Sequence, residues 1–202
     1  GSFDHEFPGG TSLSRVGFTG SGACGIDTTD SIVCSNRYYD DAPPSGSYVD
    51  IDGGSGVAGL CAIDSTQQIV CWGSGSVVTD RPEGSFVQIS LGDKMACARP
   101  TSGDLQCWGS SFHDADIAPS DVFTEVSVGG EHACGILTSG ETDCWGGSSL
   151  SGSIGAPPSS IVFEKLSLGQ DHSCGLTASG RIACWHDNDQ GEGDVPFADA
   201  RD

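Results

Sequence analysis

The sequence predicts an all-β protein assembled from five copies of one unit. Its ten cysteines fall into five pairs, and the two members of each pair lie ten residues apart. The first cysteines of successive pairs are separated by 37, 36, 37 and 40 residues, at Cys24, Cys61, Cys97, Cys134 and Cys174. A fixed period of this size is typical of solenoids, propellers and other repeat arrays.

Composition and charge narrow the class of protein. The chain has 202 residues, enough to bury a hydrophobic core, and its 31 glycines are about twice the usual share. It carries 8 basic and 28 acidic residues, for a formal net charge of −20. So little basic surface argues against nucleic acid as a partner. No apolar stretch approaches the roughly 20 residues of a membrane-spanning helix, so direct membrane insertion is not expected. We interpret the excess acid chiefly as a solubilising surface.

Apolar residues recur in phase with the cysteines. Before the first cysteine of each unit comes a large apolar residue, at Leu13, Tyr48, Phe86, Phe123 and Phe163. An aliphatic residue follows three positions later, at Val16, Ile51, Ile89, Val126 and Leu166. All four tryptophans directly follow a second cysteine, at Trp72, Trp108, Trp145 and Trp185, and Ser35 takes this place in the first copy. This repetition favours a packing role for the tryptophans over ligand contact.

Each unit has the pattern of short strands joined by a hairpin. In the fourth copy a strand pattern at 123–128 ends at Gly129-Gly130, and a second begins at 133–137. Thr138-Ser139-Gly140 then predicts a three-residue hairpin loop whose last position is left-handed. Gly103 and Gly180 hold the same place, with Asp30 and Gln67 in the first two copies.

Hairpin pairing around residue 139 brings Cys134 directly opposite Cys144. Opposed residues have Cα atoms about 4.5–5.5 Å apart, which suits a disulfide. We therefore predict five disulfides within hairpins, Cys24–Cys34, Cys61–Cys71, Cys97–Cys107, Cys134–Cys144 and Cys174–Cys184. A zinc site is disfavoured because no Cys-x-x-Cys pair occurs. An even number of regularly spaced cysteines is typical of disulfide-bonded proteins in an oxidising compartment, so we predict a secreted or cell-surface protein.

These residues resemble a known repeat. The stretch from Val126 through His132, Cys134 and Gly140 to Cys144-Trp145-Gly146 is similar to a repeat of the regulator-of-chromosome-condensation (RCC1) type, and Leu166 to Trp185 is similar to another. More closely, the units resemble the cysteine-bearing variant of extracellular bacterial proteins and of Crinkly-type receptor-kinase ectodomains. The resemblance covers about residues 13–202.

The resemblance implies that each unit is one blade of a β-propeller. We expect a single five-bladed propeller domain over residues 1–202, with units at approximately 13–47, 48–85, 86–122, 123–162 and 163–202. The family has seven blades by convention, so five could form a closed ring or part of a larger one. We favour a ring closed by terminal strand pairing, because Phe197–Ala200 repeats the unit opening already supplied by Leu13–Val16.

Catalytic and metal-binding signals are weak. No nucleophile elbow, Walker loop or zinc-protease motif occurs, so we predict no enzyme and no cofactor. His132 and His172 share one repeat position, which favours a structural role. Asp187, Asp189 and Glu192 alternate in a glycine-containing loop and form a weak Ca²⁺ candidate, with a structural turn as the favoured alternative.

The residues that do not repeat are the better binding candidates. They lie in what we call the variable segments. Each variable segment begins after the tryptophan that follows the second cysteine of a unit (after Ser35 in the first unit) and extends to the start of the next unit. Loops on a rigid scaffold commonly carry recognition, and aromatic residues favour binding. The candidates are Arg37, Tyr38, Tyr39, Asp40, Phe112, His113 and His186. We predict an extracellular receptor or adhesin module for a protein or peptide, with a carbohydrate-binding lectin as the alternative and an enzyme as a less favoured third.

Overall fold

A computed structural model describes residues 7, 10–19, 22–35, 43–54, 59–102, 104–109, 118–147 and 156–186. These residues form fifteen β-strands and one short helix. The strands are β1 Leu13–Thr19, β2 Gly22–Asp27, β3 Ile32–Cys34, β4 Tyr48–Gly53, β5 Gly59–Asp64, β6 Ile69–Gly73, β7 Phe86–Leu91, β8 Met95–Pro100, β9 Gln106–Gly109, β10 Phe123–Val128, β11 His132–Leu137, β12 Thr142–Gly146, β13 Lys165–Leu168, β14 His172–Leu176 and β15 Ile182–His186, and α1 is Ser76–Thr79. The predicted all-β class is confirmed.

The strands form five separate antiparallel sheets of three strands each, taken in chain order. Within each sheet the middle strand pairs with both neighbours, so the first and third strands run parallel to one another. In the fourth sheet Cys134 lies opposite Cys144, as the hairpin pattern predicted. The five predicted disulfides are all present, with Cα atoms 4.0–4.1 Å apart. Each disulfide therefore stiffens one hairpin and crosses no boundary between sheets.

Four hydrophobic clusters hold successive sheets together. In the second of these junctions, Phe86 and Ile89 of the third sheet pack with Cys61 and Ile63 of the second. The tryptophans belong to the same clusters, and Trp108 is 7% exposed. In the later sheets a tryptophan ring lies against the aromatic residue of its own sheet, with centroids 5.3–5.5 Å apart. The packing role predicted for the repeated tryptophans is confirmed.

The hairpin turns also connect neighbouring sheets. The last turn residue has a positive φ at Asp30 (60°), Gln67 (68°), Gly140 (89°) and Gly180 (83°), which confirms the left-handed conformation expected there. The Gln67 carbonyl accepts a hydrogen bond of 2.9 Å from the N–H of Phe86, where the third sheet begins. Asp30 bonds in the same way to the first residue of the second sheet, with an N···O distance of 2.8 Å. The turn conformation thus sets where the next sheet starts.

The outer edges of the series are less well covered than its junctions. Phe18 is 65% exposed on the first sheet, and Ile182 is 45% exposed on the fifth. The predicted closing strand, Phe197–Ala200, lies outside the described residues, and the described sheets do not form a closed ring. The structure therefore supports five propeller-like sheets without showing how the first and fifth meet.

Replacing Gln67 by glycine should stabilise the protein by about 0.5 kcal/mol. A left-handed conformation costs a side-chain-bearing residue about 1–2 kcal/mol, and the greater freedom of glycine in the unfolded chain offsets part of this gain. Urea unfolding would measure the change in the free energy of unfolding. The matched control is Gly140→Ala, which should destabilise the equivalent turn by about 1 kcal/mol. Equal destabilisation by both substitutions would contradict the argument.

Candidate functional site: the axial channel

The first strands of the five sheets line an axial channel. They lie side by side in the order β1, β4, β7, β10, β13. A cavity of about 380 Å³ lies between them, and residues of all five strands line it. A second cavity of about 200 Å³ lies where these strands end, next to Gly129, Gly130 and Gly169. A Cβ atom on Gly129 would collide with the carbonyl oxygen of Gly169, so the strand ends can approach closely only because glycine is present.

The two ends of the channel carry different parts of each unit. Because first and third strands are parallel, both end on the same side, which we call the loop face. The third strands end there at Cys34, Gly73, Gly109, Gly146 and His186. The opposite side carries the hairpins between second and third strands, and we call it the hairpin face. All five variable segments therefore leave from the loop face.

Polar side chains of one first strand bind the backbone of the next. They flank the recurrent aliphatic residue, so both point towards the following sheet. Asp50 Oδ2 accepts a 2.9 Å hydrogen bond from the N–H of Ile89. Asp52 Oδ2 accepts one of 2.9 Å from the N–H of Leu91 and one of 3.1 Å from Ser90 Oγ. Amides that would otherwise face the channel without a partner are thereby satisfied.

At the next junctions neutral groups bind the amides of the following strand, although Glu125 occupies the first of the two positions in β10 and pairs with Lys165. The Gln88 side chain accepts from the N–H of Val126 (3.2 Å) and donates to its carbonyl (3.1 Å). Ser90 Oγ accepts from the N–H of Val128 at 3.1 Å. Ser127 Oγ in turn accepts from the N–H of Leu168 at 3.2 Å. We call this series of side-chain-to-backbone bonds the axial ladder.

Charges cluster at the hairpin end of the channel. The Arg15 guanidinium contacts the Asp50 carboxylate at 3.1 Å, and the Lys165 ammonium contacts Glu125 at 2.9 Å. Removal from water raises the pKa of Asp50 above its usual range, and the negative charge of Glu125 adds to the rise. Loss of hydration also raises the pKa of Asp52, to about 6. The channel thus holds carboxyl groups that ionise less readily than exposed ones.

His132 has the structural role that its repetition suggested. It is 4% exposed, and its Nε2 lies 2.9 Å from Ser173 Oγ of the following sheet. The two side chains are buried between the fourth and fifth sheets, out of reach of a substrate. His172, at the same repeat position in the fifth sheet, is partly exposed.

The second variable segment folds back onto the protein. Its helix α1 buries Val77 completely between the second and third sheets. The Val77 carbonyl accepts a 2.9 Å hydrogen bond from Trp108 Nε1, and Arg81 Nε donates to the Ile69 carbonyl at 3.2 Å. The segment at 74–85 is therefore attached to the junction between these two sheets.

Most of the predicted binding residues cannot be placed. Six of the seven, and all three Ca²⁺ candidates, lie outside the described residues, namely Arg37, Tyr38, Tyr39, Asp40, Phe112, His113, Asp187, Asp189 and Glu192. The backbone of His186 ends β15 at the loop face. Within the described ranges, no three His, Cys, Asp or Glu side chains are grouped to hold a metal ion. No helix in this part of the chain is long and apolar enough to cross a membrane.

The axial ladder was missed in the sequence, although a signal was present. The residues on either side of the recurrent aliphatic position are polar in most units, as in Asp50-Ile51-Asp52 and Gln88-Ile89-Ser90. On a strand with one buried face this alternation is also expected for solvent exposure. Five such strands around one axis turn the polar face into a channel wall.

Replacing Ser90 by alanine should cost about 1–3 kcal/mol of stability. The change leaves the Val128 N–H without its acceptor and removes a donor to Asp52. Thermal and urea unfolding would measure the loss. Ser31→Ala is a suitable control, because Ser31 Oγ belongs to an exposed hairpin turn, and it should change stability by less than about 0.5 kcal/mol. A Ser90→Ala protein as stable as the control would contradict this role.

Comparison with known proteins agrees with the repeat pattern. Residues 163–192 match the family described as the regulator of chromosome condensation (RCC1) repeat. No curated protein matches the sequence. Many solved structures share the fold at low sequence identity. The ectodomain of the Physcomitrella patens receptor kinase CR4 has a TM-score of 0.74 and 24% identity, over 89% of this chain and 53% of that one.

Two further structures extend the same comparison. The CRINKLY WD40 ectodomain of the Arabidopsis thaliana receptor kinase ACR4 has a TM-score of 0.60 and 20% identity, over 89% of this chain and 81% of that one. Yeast RCC1 (Prp20), solved in a complex with Kap60, has a TM-score of 0.69 and 13% identity, over 89% of this chain and 57% of that one. The chain spans about half the length of CR4 and of yeast RCC1. The fifth unit thus matches the RCC1 repeat, each of the five sheets carries one disulfide, and the fold resembles that of the ectodomains of the receptor kinases CR4 and ACR4.

Proposed function

We propose that the chain is a non-enzymatic extracellular module that binds a protein or peptide through its loop face. The observation that carries the proposal is the common direction of the third strands, since all five variable segments leave from one side of the scaffold. Five disulfide-stiffened hairpins hold the points where these segments begin. A rigid scaffold that presents several unlike segments on one surface suits recognition of one specific partner.

The chemistry of the variable segments agrees with this role. Tyr38 and Tyr39 in the first segment, and Phe112 and His113 in the third, provide the aromatic area that dominates many protein interfaces. Arg37, Asp40 and His186 add polar groups to the variable segments. The segments differ between copies, whereas a lectin with equivalent pockets in each blade would repeat them. This difference favours one protein surface over several equal glycan sites.

The similar structures support the same class of function. The CR4 and ACR4 structures are ectodomains of receptor kinases, and yeast RCC1 was solved bound to the protein Kap60. Disulfides persist in oxidising compartments and are rare in the cytosol. We therefore place the protein outside the cell or on its surface.

The proposal predicts that partner binding depends on the loop face. The protein would be screened in parallel against a library of purified extracellular proteins and against a glycan array. For a protein partner found in this way, Tyr38→Ala with Tyr39→Ala, and Phe112→Ala with His113→Ala, should each weaken binding at least tenfold. Calorimetric or surface-based titration would give the dissociation constants.

The matched control uses exposed valines near the hairpin face. Val49 and Val122 are 51% and 57% exposed. Val49 is the second residue of β4 and Val122 directly precedes β10, so both lie at the end of the sheets opposite the loop face. Their replacement by alanine should leave binding within twofold. Binding that is lost only in the valine variants would contradict the proposal, as would sugar binding in the absence of any protein partner.

We further propose that the ring closes between the fifth and first sheets. Ser167 occupies the axial-ladder position of Ser127, and Phe18 occupies that of Leu168, so closure would bring Ser167 Oγ to the N–H of Phe18. The exposed apolar side chains of Val16 and Phe18 would then be covered like their buried counterparts Ile89 and Leu91. The repeated opening at Phe197–Ala200 could provide the additional pairing.

Closure predicts that Ser167→Ala destabilises the protein as much as Ser127→Ala. Both substitutions would remove an acceptor for a first-strand amide, at a cost of about 1–3 kcal/mol each. Urea unfolding of the two variants side by side would compare the losses. If Ser127→Ala is costly and Ser167→Ala is neutral, the fifth sheet does not meet the first in this way.

A further inference from the structure

The junction between the second and third sheets differs chemically from the one that follows. Asp50 and Asp52 bind the amides of β7, whereas Gln88 and Ser90 bind those of β10 at the same two repeat positions. The neutral pair performs the same structural task without removing charge from water. Ionised carboxylates are therefore not needed to join two sheets, and burying them costs free energy. Among the described junctions, this one has carboxyl groups at both positions, and that pairing calls for another explanation.

We propose that the Asp50–Asp52 junction is a pH-sensitive clamp, which is tight while its carboxyl groups hold a proton and loosens as they ionise. The clamp would act between the second and third sheets and reach the variable segment at 74–85. Its geometry is two carboxyl groups on one strand, two residues apart, that both bind the same neighbouring strand. The proposal concerns the scaffold and does not require a partner to be known.

The surroundings of the clamp provide little compensation for two negative charges. From β1, Arg15 contacts Asp50, but its side chain is 57% exposed and therefore largely hydrated. From across the channel, β10 contributes Glu125, whose carboxylate forms an ion pair with Lys165 of β13. From the third sheet itself, β7 contributes the neutral Gln88 and Ser90, and Arg99 of β8 reaches Gln88. Asp50 and Asp52 also accept hydrogen bonds from the neutral N–H groups of Ile51 (3.1 Å) and Gly53 (2.9 Å) on their own strand. Among the described residues, the charged groups facing the clamp are thus one cation, Arg15, and one further acid, Glu125.

The direction of the pH effect follows from the carboxyl groups. Loss of hydration raises the pKa of Asp52 from 3.8 to about 6 and raises that of Asp50 as well. The closed junction therefore binds more protons than the open one between about pH 4 and pH 6. Its stability is greatest at acid pH, falls as the pH rises through 6, and is constant above that. For Asp52 alone, opening becomes roughly tenfold easier between pH 5 and pH 7.5.

The clamp is mechanically connected to the loop face through α1. Val77 and Val78 of the segment at 74–85 pack in the same cluster as Ile89 and Leu91, the two residues whose amides the clamp holds. Trp108 of the third sheet donates its hydrogen bond to the Val77 carbonyl across the junction. Loosening of β4 from β7 therefore releases the support of this segment. A difference in partner binding between acid and neutral pH would follow from this release, and that consequence rests on the proposed function.

Hydrogen exchange of individual amides tests the clamp in the intact chain. The exchange rates of the Ile89 and Leu91 N–H groups would be compared with those of the Val126 and Leu168 N–H groups, which are bound by neutral side chains. The ratio of the first pair of rates to the second, taken at each pH, removes the intrinsic dependence of exchange on hydroxide. We expect the ratio to rise roughly tenfold from pH 5 to pH 7.5. An unchanged ratio would overturn the proposal.

The chain offers a matched variant for this experiment. Asp50→Gln with Asp52→Ser copies the neutral pair of the third sheet into the second, so it keeps acceptors for both amides. This variant should fold and should show a constant ratio at both pH values. A pH dependence equal to that of the wild type would assign the effect to other groups and overturn the clamp. Partner binding through Tyr38, Tyr39, Phe112 and His113 is measured separately, so either proposal can fail without the other.

Discussion

The need of first-strand amides for a hydrogen-bond acceptor constrains the whole arrangement. A first strand pairs on one side with its own sheet, and its other side faces the channel and the preceding sheet. The preceding sheet provides the acceptor from a side chain, as Ser90 does for Val128. Because a side chain reaches only a few ångströms, this bond fixes both the spacing and the height of neighbouring sheets. The hydrophobic clusters behind it can pack only once that registration is set.

Disulfides and axial bonds have complementary tasks in such a scaffold. Each disulfide joins two strands of one hairpin, so it adds nothing directly to the cohesion between sheets. Cohesion comes instead from the axial ladder, the turn carbonyls such as that of Gln67, and the apolar clusters. The units are therefore individually rigid and joined by contacts that can open. This division explains why a change of charge at a single junction can loosen part of the molecule while the hairpins stay intact.

Sequence periodicity predicted the fold well because its signals are local. Cysteine spacing and turn residues determine a hairpin within about fifteen residues, and the pairing of Cys134 with Cys144 and the left-handed turn at Gln67 follow from them. The axial ladder joins residues about 38 positions apart, so no pattern within one unit reveals it. Asp50 and Asp52 resemble ordinary exposed acids in the sequence. Only the approach of the next sheet buries Asp50, covers part of Asp52 and gives both side chains acceptor roles. The variable segments lack any repeat, so their binding role remains a prediction.

The first sheet is the exception among the five, and its sequence shows why. At the four buried junctions the incoming sheet presents an aromatic residue and a tryptophan, as Phe86 and Trp108 do. The first sheet has Leu13 and Ser35 at these positions, and among the described residues Ser35 Oγ bonds to Ala23 of its own sheet. If the fifth sheet packs against Leu13 and Ser35, as proposed, it buries less apolar area there, and the free energy gained falls in proportion. We therefore expect that junction to be the weakest in the molecule, with local opening starting at that edge.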